Sequence, residues 1–156
     1  MLEVNIPGGP QLGLNHLILD YNGTIALDGD IIPGVMDILG QLADMLTVHV
    51  LTADTHGTVR EKLPLDLVRV HVLSPQNQDQ GKLQYTRGLE NSSCVCVGNG
   101  RNDALMLREA GLGIAVVQAE GCHFKTMAEA DIIVPGILEA LNLLLKPNRI
   151  IATWRN

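Results

Sequence analysis

Short apolar runs recur along this chain, and longer segments with helical periodicity separate them. Leu17–Leu19, Val48–Leu51, Leu67–Leu73, Cys94–Val97, Leu112–Val117 and Ile132–Val134 read as strands. Between and after them, apolar positions spaced at three and four residues predict helices over Val35–Leu46, Thr55–Leu63, Lys82–Leu89, Ala104–Ala110, Phe124–Ala130 and Ile137–Leu145. Strands alternating with helices build βαβ units, and βαβ units build a parallel sheet. The runs are nearly all apolar rather than alternating, as in strands covered on both faces. The fold class expected is therefore α/β: a three-layer, Rossmann-like parallel sheet with helices on both faces.

Two stretches break the alternation. Residues 1–16 carry Pro7-Gly8-Gly9-Pro10 between two short patterned pieces, which predicts a hairpin ahead of the first core strand. Residues 24–34 carry Asp28-Gly29-Asp30 between Ile25–Leu27 and Ile31-Ile32, which predicts a short flap hairpin. There is no internal repeat, low-complexity tract or linker, and the last eleven residues are too few for a domain. One domain over residues 1–156 is expected.

Composition narrows the partners. The chain is 46% hydrophobic but only 3% aromatic, so the core must be aliphatic. Seventeen acidic against 11 basic residues give a net charge of −6, with no Lys/Arg cluster. That argues against a nucleic-acid backbone or an anionic membrane as partner, because both need clustered cations. Cys94 and Cys96 flank one residue of a strand and read, with Cys122, as free thiols in a reducing compartment. The start, MLEVNIPGG, lacks the pattern of a signal peptide, and no apolar stretch reaches membrane-spanning length, so a cytoplasmic location is expected.

The candidate chemistry sits where strands end. In a parallel sheet all such positions gather at the carboxyl edge, where ligands bind. Asp20-Tyr21-Asn22-Gly23-Thr24 follows the first core strand, and a carboxylate held there against a glycine turn can attack phosphorus; an ordinary Asp-rich turn is the alternative. Thr52-Ala53 follows the second core strand and offers a hydroxyl and a backbone N–H to a phosphate oxygen, though a plain helix cap at Asp54 or Thr55 explains the same residues. Lys82 stands near a helix start, where an ammonium could neutralise phosphate charge, or could simply be solvated. Gly98-Asn99-Gly100-Arg101-Asn102-Asp103 follows the fourth core strand, with Asn99 and Asp103 supplying oxygens suited to Mg²⁺. A dinucleotide fingerprint would need glycine where Asp103 stands. His16, His49 and His71 fall at or within strands and read as structural. His56 follows the Thr52 motif and is a weaker candidate for the site, and Glu120-Gly121-Cys122-His123 lies at the same sheet edge.

Together these residues, in this order, resemble the haloacid dehalogenase superfamily over roughly residues 15–135. Within it, LDYNGT, LTADT, GNGRND and the terminal IIATWR are similar to the soluble P-type ATPase-like group. The resemblance implies a Mg²⁺-dependent phosphatase or phosphotransferase. Asp20 would be the nucleophile, forming an aspartyl-phosphate. Asn22, Thr52 and Lys82 would join it in catalysis. Gly23, Thr52, Ala53, Lys82 and Asn102 would bind phosphate, and Asp20, Asn22, Asn99 and Asp103 would hold the metal. The substrate would be a phosphorylated small molecule or a phosphoprotein.

The sequence departs from the superfamily pattern in two places. Asn22 stands where phosphatases of the superfamily carry the Asp that moves protons, and an amide cannot do so at neutral pH. Asn99 stands where the fourth motif has its first carboxylate, and an amide oxygen binds Mg²⁺ more weakly. Slow dephosphorylation is the expected consequence, and a phosphate-binding or regulatory module is the alternative function. Neither inter-motif segment has room for a cap domain, so the site should be open. The apolar flap residues Ile25, Leu27, Ile31 and Ile32 would be exposed in a monomer, which predicts a dimer or tetramer.

Overall fold

The computed structural model describes residues 1–54 and 58–156. Its centre is a six-stranded, all-parallel sheet made of β3 (His16–Asp20), β6 (Thr47–Thr52), β7 (Val68–Val72), β8 (Cys94–Gly98), β9 (Leu112–Val116) and β10 (Ile132–Val134). The strand order is β10-β9-β8-β3-β6-β7. The first core strand is therefore central, the next two lie to one side, and the last three lie to the other. Connections run outward in opposite directions from β3, which puts the topological switch point between β3 and β8.

Helices cover both faces. On one side, alternate residues of the central strands (Leu17, Leu19, Val48, Val50, Val95, Val97) pack under α1 (Val35–Leu42), α2 (Thr58–Lys62), α6 (Ile137–Leu145) and α7 (Asn148–Trp154). On the other side, Ile18, Leu51, Leu73, Cys94, Cys96 and Ala115 meet α3 (Gln78–Gly88) and α4 (Ala104–Glu109), and α5 (Phe124–Glu129) packs on α4. Period-two alternation within fully buried strands divides the apolar residues between the two layers. All three cysteines are free thiols. No helix among the described residues is long and apolar enough to cross a membrane.

Two small antiparallel hairpins decorate this core. Strands β1 (Leu2–Asn5) and β2 (Gln11–Leu14) are joined through the Pro7–Pro10 turn; they bury Leu2, Val4, Leu12 and Leu14 and are backed by α7. Strands β4 (Ala26–Leu27) and β5 (Asp30–Ile31) form the flap. Its turn residues Asp28 and Gly29 have φ of 51° and 83°, the left-handed pair that matches a two-residue hairpin turn. The flap folds back on its own chain. Tyr21 Oη donates to Gly29 O at 3.0 Å, and Lys62 Nζ reaches Gly29 O and Asp30 Oδ1 at 2.7 and 2.9 Å. Ile25 is fully buried, Ile31 and Ile32 pack against the core, and Leu27 alone of the four stays exposed. The exposed apolar flap that led to the expectation of a homo-oligomer is thus largely covered within one chain, and that expectation loses its physical reason.

The crossover from β3 to β6 holds only the flap and α1, and that from β6 to β7 holds only α2 among the described residues. Among the described residues neither crossover holds a cap domain. Helix α1 stops at Leu42, a turn short of the expected end, and α3 starts at Gln78, a turn before Lys82. Helix α7 was not legible as an element, because eleven terminal residues give a helical period little room.

The three strand histidines lie on the α3 face. His16 Nδ1 and His49 Nε2 are 3.1 Å apart, His49 Nδ1 and Tyr85 Oη are 2.8 Å apart, and His71 stacks on Tyr85 with ring centroids at 4.6 Å. Burial, then His16 and Arg69, push His49 down from 6.5 to about 4. A histidine that folds neutral stabilises the fold fully above its unfolded value of 6.5, and the contribution fades as pH falls from there towards 4. The urea midpoint should therefore drop across that window, and the drop should be smaller in His49→Gln, which keeps a partner for Tyr85 but cannot charge. Equal pH profiles for the two proteins would refute this role.

Candidate active site

Asp20 is the last residue of the central strand, and the Gly98–Asp103 loop leaves the adjacent strand, so the two flank the switch point. Asp20 is only 9% exposed. Its Oδ1 accepts from Lys82 Nζ at 2.6 Å, and its Oδ2 lies 3.4 Å from the Thr24 hydroxyl. Lys82 comes from α3, is 1% exposed, and makes a second ion pair with Asp103 Oδ1 at 2.5 Å. The other oxygen of Asp103 accepts the Asn99 and Gly100 backbone N–H groups at 2.9 and 2.8 Å.

This is one buried ammonium between two buried carboxylates, with one negative charge in excess. Burial and then the Asp103 carboxylate push Asp20 up to about 7, against the pull of Lys82. Burial works to lower Lys82, but Asp103 and Asp20 beside it outweigh that and hold it above the ordinary lysine range. The ammonium therefore stays charged, and the charge the cluster leaves unbalanced bears on Asp20, whose carboxyl is raised to about 7 and which alone of the three lines the cavity.

The cavity over Asp20 has a volume of about 540 Å³. Asp20, Asn22, Thr52, Ala53, Asn99 and Asn102, all picked out from sequence, line it together. Lys82 sits beneath, reaching Asp20 from behind. Two candidates fall elsewhere. Asp103 is fully buried with both oxygens engaged, so it is placed to hold Lys82 and shape the loop rather than to face the cavity as a metal ligand. Gly23 donates its N–H to Ala26 O at 2.8 Å, which removes it as a phosphate donor. Its glycine requirement has another origin: its φ is +77°, and a Cβ there would collide with the Asn99 side chain.

Asn99 Oδ1 is 3.2 Å from the Thr24 hydroxyl, and Nδ2 donates to Gly121 O at 3.0 Å. Asn22 is exposed at the mouth. Thr52 Oγ1 accepts the Asp54 N–H at 3.1 Å, leaving its hydroxyl proton to donate. Asp54 accepts from the Thr58 hydroxyl and the Val59 N–H at 2.7 and 2.8 Å, which ties it to the first turn of α2, although that helix begins at Thr58 and Asp54 is not its N-cap; the alternative cap, Thr55, lies outside the described residues. His56 lies outside the described residues.

Sequence reasoning passed over Tyr21, Asp54, Thr58 and Gln78 as lining residues and left Glu120 undecided; Glu120 does line the cavity. Gln78 could have been found by starting α3 one turn earlier, since it precedes Lys82 by four residues and so shares its face. Thr24 was visible in the motif, but its twofold contact with Asp20 and Asn99 needs the turn geometry.

The fold is haloacid-dehalogenase-like. It resembles 3-deoxy-D-manno-octulosonate 8-phosphate phosphatase from Moraxella catarrhalis, solved with magnesium, phosphate and KDO, at 24% identity and a TM-score of 0.61, covering 92% of this chain and 94% of that one. The cobalt-bound phosphatase of the same name from Haemophilus influenzae aligns with a TM-score of 0.71 at 13% identity, covering 92% and 94% of the two chains. A putative subfamily III A hydrolase of the superfamily from Legionella pneumophila gives 0.67 at 17% identity, covering 91% of this chain and 87% of that one. No protein-family model matches the chain. In sequence it is 47% identical over 66 residues to the uncharacterized protein MJ0073 of Methanocaldococcus jannaschii, a match covering 42% of this chain and 71% of that protein. The chain belongs to the same family as MJ0073. The narrower likeness to soluble relatives of P-type pumps finds no support among these proteins.

Removing the ammonium should expose how much the fold depends on it. Lys82→Met leaves two buried carboxylates facing each other and should cost about 3–5 kcal/mol of unfolding free energy. Adding Asp20→Asn to that variant should restore part of the loss. A urea titration of the three proteins checks this; a Lys82→Met loss below about 1 kcal/mol would contradict it.

Proposed function

We propose that this protein is a Mg²⁺-dependent hydrolase of phosphate esters that works through an aspartyl-phosphate on Asp20. The observation that carries the reading is the Asp20 carboxylate, which reaches an open polar cavity at the switch point and is paired with a buried ammonium at 2.6 Å. The fold shared with metal-bound phosphatases supports it.

Mg²⁺ fits the donors present. Mg²⁺ prefers hard oxygens and is usually held by one or two carboxylates with substrate phosphate and water completing the shell. Asp20 supplies the carboxylate and the excess negative charge, and the Asn22 carbonyl and Asn99 amide oxygen are the further oxygens. Bound there, the ion would neutralise charge on the transferring phosphoryl group.

The chain's own residues divide the remaining work. A carboxylate oxygen of Asp20 attacks phosphorus, the bond from phosphorus to the leaving oxygen breaks, and the leaving oxygen takes its proton from water. Thr52 donates its hydroxyl to a phosphate oxygen, and Ala53 and Asn102 border the same space. Lys82 fixes the attacking carboxylate and offsets phosphate charge from below. Water then attacks phosphorus of the acyl phosphate, regenerating Asp20 and releasing inorganic phosphate. The preferred substrate class is a phosphorylated small molecule, the class named for the neighbouring phosphatases. Phosphate release from an aryl phosphate should require both Mg²⁺ and Asp20; Asp20→Asn should abolish it, and persistence of release in that variant would overturn the assignment.

Asn22 and Asn99, two amides where the superfamily places carboxylates, favour a second reading, a phosphate-binding regulatory module. Turnover of Asn22→Asp separates the two. General acid–base help is worth about 10²–10⁴ in rate, and Asn22 sits exposed at the cavity mouth where that help would act. Asn22→Asp should raise turnover of alkyl phosphates and lower the level of phosphoenzyme trapped by rapid quench. A well-folded variant with unchanged or lower turnover would count against the missing-acid argument.

A further inference from the structure

A second cavity, of about 470 Å³, adjoins the first and shares Gln78 and Asn102 as a common wall. Those two amides are joined, with Asn102 Nδ2 donating to Gln78 Oε1 at 2.8 Å. Pro75, Asn77, Asp79, Arg101, Leu105 and Lys125 complete the lining. The two cavities differ in charge. The first is bordered by Asp20, Asp54 and Glu120, with its one cation buried beneath. The second presents Arg101 and Lys125, both exposed and neither in a salt bridge among the described residues. Its one carboxylate, Asp79, is turned onto the start of α3, where Oδ1 accepts the Gln80 N–H at 2.8 Å.

In a chain of net charge −6 with 11 basic residues, two unpaired cations on one small cavity beside the candidate active site are a specific feature. Arg101 follows directly after the glycine pair of the loop that borders Asp20, so the backbone that shapes the first cavity also carries a wall of the second.

We propose that this second cavity is an accessory anion subsite, and that the substrate is a small phosphate ester whose leaving group bears a second oxyanion, a carboxylate or another phosphate, bound by Arg101 and Lys125. The inference rests on the phosphatase reading for the role of the first cavity. Two joined cavities of this size suit a small molecule bound across both. A guanidinium pairs with a carboxylate or a phosphate through two parallel N–H donors, and an ammonium adds a point charge. The acidic border of the first cavity disfavours an anion there beyond the phosphoryl group, so the second charge is directed over the Gln78–Asn102 wall.

The test is equilibrium binding of three six-carbon probes by calorimetry in EDTA: glucose 6-phosphate, 6-phosphogluconate and glucose 1,6-bisphosphate. The wild-type protein should bind at least one of the two doubly anionic probes about tenfold more tightly than glucose 6-phosphate, and the Arg101→Gln/Lys125→Gln variant should reduce that ratio to about threefold or less. Which of the two gains identifies the oxyanion. The preference should also shrink from low to physiological ionic strength, because both cations are exposed. No preference in the wild-type protein, or an equal preference in the double variant with an unchanged melting temperature, would overturn the subsite. So would tight binding of an acidic phosphopeptide with none of these sugars favoured. Because the readout is binding, it is independent of the Asp20→Asn assay: phosphate release can depend on Asp20 while the subsite fails, and the subsite can hold while release does not depend on Asp20.

Discussion

One buried ammonium organises this protein. Lys82 arrives from α3 and pairs with Asp20 at the end of the central strand and with Asp103 at the end of the loop after β8. Three segments far apart in sequence meet at one nitrogen. Taking such charges out of water is costly, and the cost is offset only if the partners stay in place. The cluster therefore fixes position as well as charge: Asp103 carries the constraint onward by binding the Asn99 and Gly100 N–H groups, which sets the loop that borders the cavity. Gly98 belongs to the same constraint, because a Cβ there would collide with the Asp103 carboxyl.

The excess of one carboxylate gives the cluster its chemical direction. Asp103 is sealed away with both oxygens satisfied, so the unbalanced charge is expressed at Asp20, where the cavity opens. Apart from Asp54 and Glu120 at its border, the rest of the lining is neutral: Asn22, Asn99, Asn102 and Gln78 present amides, and Thr52 and Thr58 present hydroxyls. Such groups offer hydrogen bonds but do not move protons at neutral pH.

The periphery follows from the same economy of elements. With no cap among the described residues, the cavity is bordered by its own loops, with the flap tied down beside it through Tyr21, Lys62 and Glu120. Beyond Gln78 and Asn102 the charge of the surface changes sign, from Asp20, Asp54 and Glu120 to Arg101 and Lys125.

The sequence by itself determined the sheet, its parallel sense and the edge at which chemistry collects. Those depend on short-range facts: apolar runs too continuous for half-exposed strands, helical periods between them, and polar residues where runs end. A parallel topology then brings Asp20, Thr52 and the Gly98–Asp103 loop to one edge, and six of the residues picked out on that basis do share one cavity. The tertiary structure decided what a residue at that edge faces. Asp103 and Asn99 are four residues apart in one glycine-rich loop, yet one turns inward to Lys82 and the other borders the cavity, because the 101–103 turn rotates the chain between them. Lys82, taken alone, is open to reading as either a phosphate-side cation or a solvated lysine, and its burial shows only once α3 is laid against the sheet. Gly23 looked like a phosphate donor until its N–H closed the flap turn on Ala26. The flap looked apolar and exposed until it folded onto its own core. Side-chain direction, burial and the pairing of buried charges arise from contacts between segments distant in sequence, and no local pattern encodes them.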